Sequence, residues 1–144
     1  MKRILFSLLL LFTVVACESE EHKLLKMKGQ MEKQVRERAT QYYTLEKYKD
    51  YKGMSQFVVP EDNFTAGGHT FKDSREYLIS VYESGLMAPL ESFEILNINA
   101  DVNQKKAKVT AGIKYKRNML EENSMDEKEW TYADGNWYFK IPRP

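Results

Sequence analysis

A chain of 144 residues with 22 lysines and arginines against 21 aspartates and glutamates has no charge excess with which to hold nucleic acid. Its length suits one domain around one core, and a single cysteine excludes a disulfide framework. The two histidines, His22 and His69, lie too far apart to make a metal site by spacing, and no motif names a cofactor.

Met1-Lys2-Arg3 is basic, and residues 4–16 carry no charge. As a helix this run would reach only ~20 Å, against a hydrocarbon core of ~30 Å, so it reads as an export signal rather than a permanent span. Val14-Val15-Ala16-Cys17 resembles a bacterial lipoprotein signal, with Val14 where leucine is commonest. The resemblance implies cleavage between Ala16 and Cys17, and acyl chains on Cys17. An ordinary signal peptide that leaves a free cysteine is the plainer alternative. Two acyl chains on one residue suffice for stable anchoring. The lipid also uses up the only thiol, which removes redox and zinc–thiolate chemistry from the mature chain. The expected organisation is a signal over 1–16, the lipidated cysteine and a tether over 17–29, and one domain over 30–144. The expected location is a bacterial membrane, the periplasmic leaflet of the outer membrane in a Gram-negative host.

Glu18 to Gly29 is charged and weakly capped, and reads as a tether able to become helical. From Gln30 a helical period appears in Met31, Val35, Ala39, Tyr42, Leu45 and Tyr48, one apolar stripe along one face. Gly53 is expected to end or kink this helix. A short helical turn through Gln56 and Val58 stops before Pro60. Glu61 to Thr70 is loop by composition. Asp73-Ser74-Arg75-Glu76 then opens a second helix as an acidic cap with a glutamate in the first turn. Leu78, Val81 and Tyr82 form its buried side, and Gly85 ends it.

After Pro89 the period changes to two. Ser92 to Val102 reads as a strand whose phase slips by one residue near Ile95, the mark of a bulge. Asn103-Gln104 turns the chain. The next strand places Ala107, Val109, Ala111, Ile113 and Tyr115 on one side and lysines on the other. A polar loop through Glu121, Glu122 and Asn123 leads to a strand over Glu127 to Ala133. Asp134-Gly135 is a tight-hairpin signal, and Trp137, Phe139 and Ile141 form the last inward face.

Helices followed by an antiparallel meander predict an α+β fold, with the first helix inside a curved sheet. Three stretches, "QVRERATQYYTLEKYKDY", "TFKDSREYLISVYESG" and "EKEWTYADGNWYFKIP", resemble small exported members of the nuclear-transport-factor-two-like, ketosteroid-isomerase-like superfamily. The resemblance implies a cone-shaped domain over about residues 30 to 142; a cystatin-like sheet wrapped on a helix is the competing expectation. The superfamily holds isomerases, hydrolases and dehydratases as well as non-catalytic modules, and fold does not choose among them.

Chemistry is thinly signalled. Among the inward positions of the clean strand only Tyr115 is polar, and no inward carboxylate pair is evident. His69, after two glycines and four residues before Asp73, is the one acid–base candidate beside it, and a surface loop histidine is the favoured account of it. Lys106, Lys108, Lys114 and Lys116 read as a solvated outer face before they read as an anion site. Ala107 and Ala111 either admit a close helix or leave room for a ligand, and filling is favoured because interiors close-pack. The functional expectation is a lipid-anchored, non-catalytic binding domain, with an envelope protein or a second copy as partner. A carrier of a small apolar or aromatic ligand is the alternative, and an isomerase- or hydrolase-like enzyme the third.

Overall fold

The computed structural model describes residues 19–143. The signal over 1–16, with Ala16 and the lipidation site Cys17, lies outside the described residues. Helix α1 spans Glu20–Lys47. The Ser19 side chain accepts from the His22 amide, Glu20 and Glu21 favour the positive end of the helix dipole, and Lys47 favours the negative end. The stretch expected to be a tether is therefore helical from Glu20, and the helix crosses Gly29 without a break. Its buried stripe is Val35, Ala39, Tyr42, Tyr43 and Glu46. Tyr48, expected on that stripe, is 76% exposed, because the helix has already ended and Lys49 turns the chain with φ 61°.

Gly53 does not end α1. It sits inside the short helix α2 (Tyr51–Ser55), where its amide donates to the capping carboxylate of Asp50 at 2.9 Å. A Cβ there would stand 2.6 Å from Asp50 Oδ2, so the cap itself requires glycine. The expected loop over 61–70 is instead a hairpin, β1 (Asp62–Ala66) and β2 (His69–Asp73). Gly67 and Gly68, with φ of 58° and 79°, supply the tight turn that alternating Phe64 and Ala66 needed to pair back. Phe64 is fully buried and stacks on Tyr77 of helix α3 (Ser74–Glu83) at 4.9 Å. The α3 cap is as expected: Asp73 Oδ1 accepts from the amides of Arg75 and Glu76, and Gly85 follows with φ 72°.

The main sheet has the order β3-β4-β5-β6, all antiparallel, from β3 (Leu90–Asp101), β4 (Lys106–Arg117), β5 (Leu120–Ala133) and β6 (Asn136–Phe139). The register of β3 shifts between Ile95 and Asn97, the expected bulge. The expected loop at Glu121, Glu122 and Asn123 is strand. The chain turns earlier, at Asn118 with φ 55°, and β5 pairs with β4 from Leu120 onward. Sheet and helix meet in one core. Val35, Ala39, Tyr42, Ala107, Val109, Ala111 and Trp130 are all 2% exposed or less. The small Ala107 and Ala111 lie under α1, and the cone is filled at this depth.

Helix α1 runs antiparallel to β3. Glu32 Oε1 accepts from the Ala100 amide, Arg36 donates to the Ile95 carbonyl, and Tyr43 stacks on Phe93. The start of α1 therefore lies at the β3–β4 turn, and its end lies beside Leu90 and Tyr115. The outer face of β4 carries the lysine row, and each member meets glutamate. Lys106 pairs with Glu129 and Lys108 with Glu127, both at 2.8 Å, while Lys114 and Lys116 share Glu91 and Glu121.

Candidate ligand site at the mouth of the cone

The inward face of β5 changes character along its length. Trp130 faces Ala107 and is fully buried. Stepping by two toward the turn, the same face presents Lys128, Asp126, Ser124 and Glu122, opposite Val109, Ala111, Ile113 and Tyr115. A strand that served only the core would stay apolar here. The polar residues instead line a hollow of about 790 Å³ at the wide end of the cone, closed by Tyr82 of α3 and rimmed by Leu86, Met87 and Leu120. A second hollow of about 990 Å³ runs toward the C-terminal segment, and the two meet at Tyr82, Asp126 and Lys128.

Glu46 lies at the back of this mouth, 3% exposed. Its Oε1 accepts from the hydroxyls of Tyr82 and Tyr115, each at 3.0 Å. Burial raises the Glu46 carboxyl above its ordinary range, while the two tyrosine bonds and the Lys128 charge oppose that shift. Burial next to Glu46 pushes the Tyr82 and Tyr115 hydroxyls far up, so both remain protonated donors. Asp126 Oδ2 accepts from the Tyr43 hydroxyl at 2.7 Å and from Lys128. The Lys128 ammonium lies 5.3–5.7 Å from the ring centres of Tyr42, Tyr43 and Phe139, where the aromatic faces compensate lost hydration. Two carboxylates, three tyrosine hydroxyls and one ammonium thus cluster beside the hollow, with Tyr82, Tyr115, Asp126 and Lys128 lining it and Glu46 and Tyr43 buried behind them.

The two residues singled out from sequence part company. Tyr115 belongs to this cluster. His69 is exposed at the turn end of β2, paired with Ala66 across the hairpin. The Asp73 carboxylate is engaged in capping α3. The expectation of no inward carboxylate pair is corrected by Glu46 and Asp126. Two signals pointed to them. Glu46 continues the stripe of Ala39, Tyr42 and Tyr43, a charge where the helix should be apolar. On β5, the period carried back from Trp130 reaches Lys128 and Asp126. Among the described residues, no group of three or more histidines, cysteines, aspartates and glutamates converges as a metal site would.

No family model matches the sequence, and no curated protein matches it. Solved structures do match the fold. An NTF-2 like protein of unknown function from Shewanella oneidensis MR-1 superposes with a TM-score of 0.57 at 12% identity, over 74% of this chain and 92% of that one. A chain named Rd1NTF2_05 superposes at 0.52 with 13% identity, over 74% and 92%. A SEC-C motif containing protein from Rhodopseudomonas palustris gives 0.50 at 17% identity, over 69% of each chain. The domain has the nuclear-transport-factor-two-like fold: α+β, with helices packed against an open antiparallel sheet.

Proposed function

We propose that this protein is an exported, lipid-anchored binding module that holds a small amphipathic molecule in the mouth of its cone. The observation that carries the reading is the inward face of β5, where Asp126 and Lys128 replace core residues beneath a lip of Leu86, Met87 and Leu120. A polar floor under an apolar lip suits a ligand with one hydrogen-bonding end and an apolar body. The filled core behind Ala107 and Ala111 limits that ligand to the mouth. Anchoring rests on the apolar run and the placement of Cys17 after Ala16. Native mass spectrometry of the full chain, purified in mild detergent from its own membranes, tests both parts. The expected spectrum has acyl mass on Cys17 and a small molecule that is absent from an Asp126→Ala, Lys128→Ala double variant. A ligand-free protein, or a ligand retained by that variant, defeats the binding reading, and an unacylated Cys17 defeats the anchor.

One observation favours an acid–base enzyme as a second reading. Glu46 is a buried carboxyl whose pKa burial raises, held between two tyrosine donors, the kind of group that serves in acid–base chemistry. Incubating the co-purified molecule with wild type and with Glu46→Gln separates the readings. Conversion by wild type alone marks an enzyme, and no conversion by either marks a binder.

A further inference from the structure

We infer that the first turns of α1 and the β3–β4 turn together rest on the bilayer surface, which points the mouth of the cone away from the membrane. This inference rests on the anchored reading above. Residues 20–30 of α1 run past the end of the sheet, and among them Leu24, Leu25 and Met27 are 45%, 61% and 48% exposed. These are not scattered surface residues. Leu24 lies two helical turns before Met31 and three before Val35, on the stripe that the sheet covers farther along. The stripe simply continues beyond its cover. Between the overhang and the β3–β4 turn lies a wedge of about 410 Å³, walled by Leu24, Leu25 and Lys28 on one side and Ala100, Asp101 and Asn103 on the other.

The position of Cys17 decides what fills the wedge. The lipid-bearing residue stands two places before Ser19, the helix cap. Only Glu18 stands between Cys17 and that cap in the sequence, so an anchor at Cys17 holds the overhang near the lipid headgroups, and a surface touching it also meets the β3–β4 turn. The overhang carries Glu20 and Glu21 in its first turn and then Lys23, Lys26 and Lys28, and the turn contains Lys105. Lysines around an apolar stripe suit an interface of anionic headgroups over acyl chains, because their ammonium groups stay in water while their stems lie along apolar surface. Leu86, Met119 and Leu120, also exposed, lie at the opposite end of the sheet, while Leu96 and Met125 are exposed along the strands. Since α1 is antiparallel to β3, the first three stand at the far end from the anchor and belong to the mouth.

The test uses the full lipidated chain in vesicles of phosphatidylethanolamine and phosphatidylglycerol containing a nitroxide-labelled lipid. Cys17 is the only cysteine, so wild type with an acylated thiol takes no thiol-reactive fluorophore. Leu24→Cys, Leu25→Cys and Met119→Cys each then take one. All three sites are already exposed, so the fold is retained. The expected result is quenching several-fold stronger at 24 and 25 than at 119. Equal quenching at the two ends overturns the docking, as does weak quenching at 24 and 25 with disulfide-linked dimers of Leu24→Cys, which would mean a second copy fills the wedge. Failure of the anchor itself shows separately: wild type takes the label and does not float with the vesicles.

Discussion

The Tyr115 hydroxyl donates to Glu46 Oε1 at 3.0 Å, joining β4 to the last turn of α1 across 69 residues of sequence. Tyr82 donates to the same oxygen from α3, so one carboxylate holds three elements at the mouth.

Glu46 should make stability depend on pH in a direction opposite to most carboxylates. Its folded pKa is raised by burial above the ordinary 4.5. Between those two values the native state binds the extra proton, so stability falls as pH rises through that window and levels off above it. Glu91 and Glu121, whose pKa values are lowered by Lys114, act below 4.5, where stability is lost as pH falls. Urea melts of wild type and Glu46→Gln at successive pH values should show the glutamine variant gaining on wild type as pH rises through the window. A constant difference would show that Glu46 does not titrate there.

Tyr43→Phe should cost about 1.5–3 kcal/mol, the range for a hydrogen bond to a charged group, since its hydroxyl is the buried donor to Asp126. A double-mutant cycle with Asp126→Asn measures the coupling. Additive costs would mean the contact contributes nothing.

Trp137 is 2% exposed and packs on Tyr132 at 5.3 Å. Trp137→Ala should destabilise by about 3–5 kcal/mol, as large core truncations do. Lys108→Ala removes an exposed ion pair with Glu127 and should cost under ~0.5 kcal/mol. Denaturant melts that rank these two the other way would contradict the facing of the sheet.

Ala111 has no exposed surface and lies beneath α1. Ala111→Trp should cost at least ~1–3 kcal/mol, because the ring has no space to enter. Near-native stability of this variant in a thermal melt would show a cone with more room than the packing implies.

Cys17→Ser should abolish incorporation of labelled fatty acid and release the protein from the membrane fraction. Retention of label in that variant would place the anchor elsewhere.

The fold was legible wherever one face of an element is buried and the other wet. Ala107 to Ile113 alternate cleanly because β4 is central, and Asp134-Gly135 turns with φ of 50° and 81°, as its residue types require. The misses share one cause. Asp62 to Asp73 and Leu120 to Asp126 are strands whose side chains are mostly polar, because one is a small outlying hairpin and the other borders open water. Periodicity of apolar residues cannot report a strand that buries little. The site was hidden for the same reason. Asp126 and Lys128 stand on an inward face that is not core: Asp126 fell before the expected strand, and Lys128 fell within it without reading as a site residue. Glu46 is carried by a strongly helical stretch, and nothing local says that its carboxylate is met by Tyr82 and Tyr115 from distant segments.

Strand β5 outruns β6, which pairs only with Trp130 to Ala133. Along 120–129 its other edge has no strand beside it among the described residues. Amides on that edge are open to water and should exchange with deuterium far sooner than those of β4, which is paired on both sides. The wall that carries Asp126 and Lys128 is thus held by strand pairing on one side only. Slowed exchange along 120–129 would report occupancy of the mouth before the occupant is identified.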